Sequence, residues 1–471
     1  MNTAQKMMSA LENVSCQEIS QKNVNQVWPQ LLKSLRECHF AALDFEFSGI
    51  GSKSVFQLPN VEDRYKAIAE AAKSRAILSF GISLFKLTKK KKESVDGPET
   101  NNALTYDVHN YNIFTSCFDE YEQEEDAINF LISHGFDFDR QISEGMPYYK
   151  GNDMEEDIDA NSNSVRSFFA EILKREIPIV VHNGFIDLVF MYQSFYCQLP
   201  ATLQTFLCNL REMFPVGVYD TKYIAEYQDR MDSSFLEYVF HEKQIRNLEK
   251  KVACKPHIEL IFSLPDDGGS YFLTRNLKTV IGAEKPEGVI VCKNYTSHGW
   301  CRKGTSCPQS HDIHLILSEK TKSKGMKKKM NALKQMVGSN AENSENKVAV
   351  NQSSNETKAI ETQNGKKEDE IEEKKPEVNP MNVKNGLHSS GFDAFMTGYC
   401  FAVNHAIHGE TNIDSTCVYR ASKLKFKNLV FNLYLTGKDQ PLRVAKSAYA
   451  EPSKNHTQKM ARIKNKANIT C

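Results

Sequence analysis

The pattern of apolar and polar residues predicts alternating helices and strands in the first part of the chain. Residues 24–38 have the apolar spacing of a helix, and we place Val27 on the flank of its apolar face. That face is formed by Trp28, Leu31, Leu32 and Leu35. Four further elements are predicted here: a strand within 39–51, a helix over 61–75, and strands over 76–87 and 103–114.

The same alternation continues further along the chain. Residues 177–183 are apolar and predict a buried strand between two helices, over 162–176 and 185–196. Residues 217–228 repeat the change from strand to helix, and 391–407 have the spacing of a long helix. Strands and helices in this order indicate an α/β protein with a mixed sheet.

A polar segment in the second half of the chain is predicted not to fold. Residues 318–386 are rich in lysine and glutamate and nearly free of aromatic side chains, so they cannot bury enough apolar surface. Seven lysines and no acid lie in 320–334, which favours a nuclear localisation signal over a solvated charge run. We therefore predict a disordered linker that carries such a signal.

These patterns divide the chain into five parts. The main domain is predicted to be interrupted, with its first part over 1–280 and its second part over 387–450. A short Cys/His unit at 286–316 and the linker at 318–386 lie between the two parts. A basic tail follows at 451–471. A long loop of this kind is tolerated because the entropy of closing it grows slowly with length.

Composition narrows the class of protein. The 59 basic and 59 acidic residues balance, so a surface for nucleic acid requires uneven charge, as in the lysine run. No apolar run is long enough for a membrane span and the first residues lack the features of a secretion signal, so we expect neither. The twelve cysteines are therefore expected to be mostly reduced thiols.

Two carboxylates in the first predicted strand are the first candidates for chemistry. Asp44 and Glu46 lie two residues apart, so the strand period places both on one face. Close carboxylates repel each other and raise one pKa unless a cation lies between them. The alternative is a half-exposed strand with two solvated acids.

Two later segments supply further candidates. Asp187 lies in the first turn of a helix, just after a buried strand ends at His182 and Asn183; an aspartate there also simply favours the positive helix terminus. His388 and Asp393 are separated by four residues at the start of the late helix. A histidine beside a disordered linker is otherwise an ordinary exposed residue.

The Cys/His unit has the spacing of a CCCH zinc finger. Its four predicted ligands are Cys292, Cys301, Cys307 and His311. Three thiolates and an imidazole fill a closed tetrahedral site, which is structural rather than catalytic. Tyr295 and Trp300 lie inside the unit, where exposed aromatic rings would stack on unpaired RNA bases; the alternative for Trp300 is that it packs on the zinc core. We expect the finger to add affinity for RNA and to leave any reaction carried out by the main domain largely unchanged.

In combination, these segments resemble the histidine variant of the DEDD exonuclease family, close to the poly(A)-specific ribonuclease and CAF1-type deadenylase branch. The motifs that carry the resemblance are DFEFSG, HGFDF with GMPYYKG, VVHNGFIDLVF, VYDTK and GFDAFMTGY. The resemblance implies a mixed-sheet, RNase H-like fold, interrupted here by the CCCH finger and the disordered linker. The two parts of the main domain would then be one exonuclease domain.

The resemblance also implies a mechanism and its residues. Two Mg²⁺ ions would be bound by Asp44, Glu46, Asp187 and Asp393. His388 would take the proton from the attacking water. The implied activity is 3′-to-5′ removal of oligo(A) or poly(A) tails with release of 5′-AMP, and Zn²⁺ would be the structural metal of the finger.

The resemblance, the finger and the lysine run together imply adenosine-tailed nuclear RNA, with small nuclear RNA precursors among the substrates. The expected location is the nucleus, with nucleolus, speckles and Cajal bodies left open. Two other classes stay open: a zinc-finger RNA-binding adaptor with an inactive nuclease fold, and a DNA-directed exonuclease of the same superfamily. Protein partners and oligomeric state are not determined by the sequence.

Overall fold

The computed structural model of the chain describes residues 11–88, 103–151, 163–262, 272–323, 389–408 and 428–469. Nine strands within these ranges form one mixed sheet, in the order β7-β6-β2-β3-β4-β1-β9, with β5 and β8 also paired to β4. The strands are β1 (Val14–Ile19), β2 (Phe40–Phe47), β3 (Ile77–Leu87), β4 (Ala103–Cys117), β5 (Met146–Tyr148), β6 (Ile179–Val181), β7 (Val218–Asp220), β8 (His257–Ile261) and β9 (Phe272–Arg275). The predicted mixed α/β sheet is confirmed.

The sheet combines an antiparallel centre with parallel strands on both sides. Strands β2, β3 and β4 are antiparallel neighbours. Strands β6 and β7 continue the sheet in parallel beside β2, whereas β1 and β8 both run parallel to the long strand β4. A separate two-stranded hairpin is formed by β10 (Asn432–Leu433) and β11 (Leu442–Arg443).

Twelve helices are labelled here in chain order. They are α1 (Val24–Glu37), α2 (Val61–Ser74), α3 (Glu125–Ser133), α4 (Phe138–Glu144), α5 (Val165–Arg175), α6 (Phe185–Met191), α7 (Leu203–Met213), α8 (Leu236–Val252), α9 (Lys293–His298), α10 (Ile313–Ser323), α11 (Ser390–His408) and α12 (Lys454–Ile469). Shorter turns are the 3₁₀ segments Leu11–Asn13, Lys53–Gln57 and Gly304–Ser306, the helical turn Thr221–Tyr223, and the π-helical segments Tyr192–Tyr196 and Ile224–Gln228. None of the described helices is long and apolar enough to cross a membrane.

Each face of the sheet is covered by its own hydrophobic cluster. Alternate residues of β2 point to opposite faces, so Leu43 and Phe45 join the cluster formed with α1, α2, α5, α6 and α7. Phe40 and Ala42 join the other cluster, which includes α8 and α11. Strand period therefore places Asp44 and Glu46 on the α11 face of the sheet. Because both faces of the sheet are covered, every residue of β3 except Lys86 is buried.

Helix α11 is buried from Ser390 to Ala406, as expected for a helix that is apolar around most of its circumference. It contacts β2, β3 and β4 on one side and α8 on another. The predicted helix over 391–407 therefore exists, and it is a central element of the fold. Its first residues lie against the sheet, close to the two acids of β2.

Two details of the sequence prediction need correction. Val27 is buried in α1, whereas Trp28 and Leu32 are partly buried, so the placement of Val27 on the flank was wrong. The large indole of Trp28 lies at the edge of the contact between α1 and the hydrophobic cluster, and smaller side chains fill the centre of that contact. The helix predicted over 185–196 ends at Met191 and continues as the π-helical segment Tyr192–Tyr196.

The ends of the linker and tail also contain ordered structure. Helix α10 continues to Ser323 with Ser318 buried, so the linker does not begin at residue 318 as predicted. The rest of the predicted linker and its lysine run, from residue 324, lie outside the described residues. The basic tail contains α12, whose Met460 and Ile463 join the main hydrophobic cluster.

Candidate active site and metal-ligand clusters

Three acids from two distant segments meet on the α11 face of the sheet. Asp44 and Glu46 come from β2, and Asp393 comes from the first turn of α11. Each offers a carboxylate oxygen, and these atoms all lie within 4.8 Å of one another. Clustered carboxylate oxygens are the ligand type that Mg²⁺ and similar hard cations prefer.

A glycine in the neighbouring strand allows α11 to reach these acids. Gly81 pairs with Asp44 across β2 and β3. A Cβ atom at Gly81 would lie 1.8 Å from the carbonyl oxygen of Ser390, so any larger residue would displace the start of α11. The Ser390 hydroxyl donates to Asn112 Oδ1 at 2.7 Å and lies 3.1 Å from Ser79 Oγ. These contacts fix the end of the helix that carries Asp393.

The fourth predicted ligand, Asp187, lies in the first turn of α6, close to this group but outside the three that meet within 4.8 Å. Its charge contributes to raising the pKa of Asp44. Burial, with a smaller effect from the charge of Asp220, raises the pKa of Asp187 from the usual 3.8 to about 7. Asp187 therefore shares the electrostatic environment of the cluster.

Asp220 was not singled out in the sequence. It binds the backbone of the junction between β6 and α6, residues 182–184, which precedes Asp187. It is fully buried at the end of β7. Its carboxylate accepts five backbone hydrogen bonds, from the N–H groups of Asn183, Gly184, Lys222, Tyr223 and Tyr434. Asn183 has a positive φ of 60°, an uncommon conformation that this carboxylate helps to maintain. The motif VYDTK contained Asp220, but its role depends on contacts between distant segments.

The electrostatics of the cluster favour a bound cation. Burial, followed by the charges of Asp393, Glu46 and Asp187, raises the pKa of Asp44 well above its ordinary range. Like charges in a buried site repel one another, and a divalent cation between them removes that repulsion. The donor set therefore fits the hard metal ions implied by the sequence. The fifth predicted catalytic residue, His388, lies outside the described residues and immediately before Ser389.

The four predicted zinc ligands also come together. Sγ atoms of the cysteines and a ring nitrogen of the histidine lie within 4.8 Å of one another in the group Cys292, Cys301, Cys307 and His311. A hydrogen bond from the backbone N–H of Tyr295 is the largest effect that lowers the pKa of the Cys292 thiol. The pKa of Cys307 is raised despite a hydrogen bond from the backbone N–H of Gln309, because burial and the neighbouring thiols disfavour a second thiolate. Three sulfurs and one imidazole at this spacing fit a structural zinc ion.

The aromatic residues of the finger differ in their surroundings. The Tyr295 ring stacks on His311, with centroids 4.4 Å apart and an interplanar angle of 8°. Its hydroxyl donates to Glu237 at 3.1 Å, so Tyr295 joins the finger to α8. Trp300 is 60% exposed, which leaves most of its ring accessible to a base.

The fold and the acidic cluster together define an α/β protein with a candidate divalent-metal centre at the sheet. The family described as CAF1 family ribonuclease matches residues 19–167 and 153–401, which together cover most of the chain and both segments of the cluster. The chain therefore belongs to the CAF1 ribonuclease family.

Several curated proteins are similar over part of the chain. An uncharacterized protein of Schizosaccharomyces pombe is 33% identical over 28% of this chain and 30% of its own length. Poly(A)-specific ribonuclease PARN of Xenopus laevis is 26% identical over 36% of this chain and 29% of its length. Poly(A)-specific ribonuclease PNLDC1 of Mus musculus is 25% identical over 28% of this chain and 25% of its own length. Each match thus spans less than a third of the relative's length.

Solved structures give a weaker likeness. The Mg²⁺- and Mn²⁺-bound form of Pop2p from S. pombe covers 49% of this chain and 82% of Pop2p. The TM-score is 0.35 and the sequence identity 16%.

Proposed function

We propose that this chain is a 3′-to-5′ exoribonuclease that trims adenosine-rich tails and releases 5′-AMP. The observation that carries the proposal is the meeting of Asp44, Glu46 and Asp393 in a chain of the CAF1 ribonuclease family. Several relatives are named poly(A)-specific ribonucleases, which supports adenosine-rich RNA as the substrate class.

The acids would hold two divalent cations, for which we propose Mg²⁺. The proposed ligands are Asp44, Glu46, Asp187 and Asp393. Bound cations would lower the pKa of water and stabilise the leaving oxygen of the phosphodiester. The chain's own part is to fix these carboxylates on a buried sheet, so that little reorganisation accompanies the reaction. We propose His388 as the general base.

The finger would bind Zn²⁺ and contact RNA upstream of the reacting end. Its donor set supports zinc, and the exposed ring of Trp300 supports stacking on an unpaired base. For cellular substrates we propose nuclear RNAs with 3′ oligo(A), small nuclear RNA precursors among them. The lysine run at 320–334 supports a nuclear location.

The proposal is tested with 5′-labelled RNAs that end in A, U, C or G tails, with a matching DNA oligonucleotide, each with Mg²⁺ or with EDTA. We expect stepwise shortening of the A-tailed RNA from its 3′ end, with 5′-AMP as product, and no shortening in EDTA. Asp44→Asn combined with Glu46→Gln should abolish shortening, because both substitutions remove the charge of a proposed metal ligand. The fold should be retained, because the size of each side chain is unchanged.

Asp63→Asn is the matched control for these variants. Asp63 is an exposed acid in the first turn of α2, so its substitution should leave the trimming rate unchanged. An acid-cluster variant that trims as fast as this control would place the active site elsewhere. RNA binding without shortening by the wild-type chain would favour the inactive adaptor, and preferential shortening of DNA would favour a DNA exonuclease.

A further inference from the structure

One contact between the Cys/His finger and the main domain is formed by a short segment, Ser233–Phe235, that precedes α8. The Ser233 hydroxyl donates to the carbonyl oxygen of Thr296 in the finger at 2.5 Å. It also accepts a hydrogen bond from Lys320 Nζ of α10 at 2.8 Å. Ser233 is buried, and both hydrogen bonds are partly buried.

Phe235, the last residue of this segment, is enclosed by the finger. Its ring makes an edge contact with Tyr295 at a centroid distance of 5.8 Å. Gly299 has a φ of +74°, and a Cβ atom there would lie 2.5 Å from Phe235 Cγ. The turn that follows α9 therefore fits directly against the ring, and glycine is needed both for its backbone conformation and for this contact.

The residue between them, Ser234, contacts residues that follow β6 and β7, next to the segment that leads to Asp187. Its carbonyl oxygen lies 2.9 Å from His182 Nε2, and because a carbonyl only accepts, Nε2 is the nitrogen that donates. Its hydroxyl accepts from Lys222 Nζ at 2.8 Å and donates to Glu226 at 2.5 Å. Ser233 and Ser234 thus connect the finger to the ends of β6 and β7.

His182 begins the junction that leads to Asp187. It follows β6, and after it come Asn183 and Gly184, whose N–H groups are held by Asp220. Helix α6 then starts at Phe185 and places Asp187 in its first turn. A displacement of Ser234 would therefore act on the junction through His182, five residues before Asp187.

We propose that the folded finger acts as a brace for this junction and thereby positions Asp187 in the acidic cluster. The inference rests on the proposed role of Asp187 as a metal ligand. The finger would then contribute to binding of divalent cations and to turnover, even on an RNA too short to reach it. The sequence-based expectation assigned the finger to RNA affinity alone.

The test breaks the brace without touching the zinc ligands, using Ser233→Ala combined with Lys320→Ala in the full chain. The matched control is Lys303→Ala, which replaces an exposed lysine of the finger. The measurements are zinc content, hydrogen exchange of amides 181–191, Mn²⁺ affinity by electron paramagnetic resonance, and kcat and KM on a short oligo(A).

We expect the double variant to keep its zinc and the control to match the wild type. The double variant should show faster exchange at 182–187 and Mn²⁺ affinity lower by about fivefold, the effect of one typical hydrogen bond. On the short RNA, kcat should fall while KM changes little, because the contacts with substrate are retained. Cys307→Ser, which removes a zinc ligand, should change exchange and affinity in the same direction.

Unchanged exchange and Mn²⁺ affinity in the double variant would overturn the brace, as would zinc loss in Cys307→Ser with an undisturbed junction. Both readouts are independent of RNA hydrolysis. A wild-type chain that trims no RNA, while its junction still responds to these substitutions, would refute the proposed function and leave the brace intact.

Discussion

Asp44 shows, at the scale of one residue, how a candidate metal ligand weakens the metal-free fold. Its pKa is raised by burial and by the charges of Asp393, Glu46 and Asp187. A raised pKa of an acid means that its charged form is less favourable in the folded than in the unfolded chain. The arrangement is therefore suited to a bound cation and unfavourable without one.

Replacing Asp44 by asparagine should stabilise the metal-free protein. The substitution removes one half-buried charge and its repulsion while keeping the size of the side chain. In EDTA we expect the free energy of unfolding to rise by at least about 1 kcal/mol, close to the equivalent of one pKa unit. Urea denaturation measures this change, and the stabilisation of the wild type by added Mn²⁺ should be much smaller in the variant.

The exposed Asp63→Asn variant serves again as control. Because Asp63 lies in the first turn of α2, loss of its charge should lower stability by less than about 1 kcal/mol, and by the same amount in EDTA and with Mn²⁺. A metal-free Asp44→Asn protein that is less stable than the wild type would show that Asp44 makes favourable contacts in the absence of metal. The Asp44 carboxylate would then stabilise the fold by itself rather than serve as a metal ligand.

At the scale of elements, the position of α11 on the sheet decides whether the acids meet. Gly81 lets the carbonyl of Ser390 approach β3 directly, and Asp393 follows three residues later. Further along the same helix, Gly398 lies against the ring of Phe85. The first contact is with backbone, which cannot move away alone, whereas the second is with a side chain.

Gly81→Ala should therefore separate Asp393 from the acids of β2. We expect it to destabilise the fold by about 1–3 kcal/mol, the usual range for overpacking, and to weaken Mn²⁺ binding more than this loss alone explains. Gly398→Ala is the matched control, because it overpacks the same helix away from the acids and should lower stability with little effect on Mn²⁺ affinity. Calorimetric titration of both variants with Mn²⁺, alongside urea denaturation, makes the comparison.

Equal Mn²⁺ affinity in the two glycine variants at equal loss of stability would contradict this reading of Gly81. It would mean that Asp393 does not depend on the close approach of α11 to β3.

At the scale of the whole molecule, the burial of histidines makes the stability of the fold depend on pH. Burial lowers the pKa of three histidines from 6.5 to about 3, those at His182, His241 and His405. Each of these histidines is therefore protonated below about pH 6.5 in the unfolded chain but only below about pH 3 in the folded chain. Their contribution to stability is complete above pH 6.5 and is lost progressively as the pH falls below it.

His405→Gln should reduce this acid sensitivity. Glutamine retains a hydrogen-bonding side chain opposite Tyr106, whose hydroxyl lies 3.1 Å from His405 Nδ1, and it does not titrate. Relative to its own stability at pH 7.5, the variant should lose about 1.4 kcal/mol less than the wild type at one pH unit below 6.5. Urea denaturation at a series of pH values measures both curves.

His298→Gln is the control, since His298 is exposed in α9 and its replacement should leave the pH dependence unchanged. Parallel curves for His405→Gln and the wild type would mean that His405 does not remain neutral in the folded protein at mildly acidic pH.

The sequence predicted most elements of the fold because their periodicity is local. The helix over 61–75 and the strand over 76–87 correspond to α2 and β3 with shifts of one residue. Val27 and the first residues of the linker were misplaced because their burial depends on which surface packs against them. Asp220 and Gly81 were missed for the same reason: neither belongs to a pattern until distant backbone groups reach it.

What the sequence alone determined is the chemistry available: carboxylates alternating along a strand, a Cys/His set at zinc-finger spacing, and motifs that resemble a nuclease family. These depend on residue type and short spacing, which the chain fixes directly. Only the tertiary structure decided that Asp393 reaches Asp44 and Glu46, and that the finger rests on the segment beside His182. Such contacts depend on side-chain volume and on the approach of backbone segments that are distant along the chain, which local periodicity does not encode.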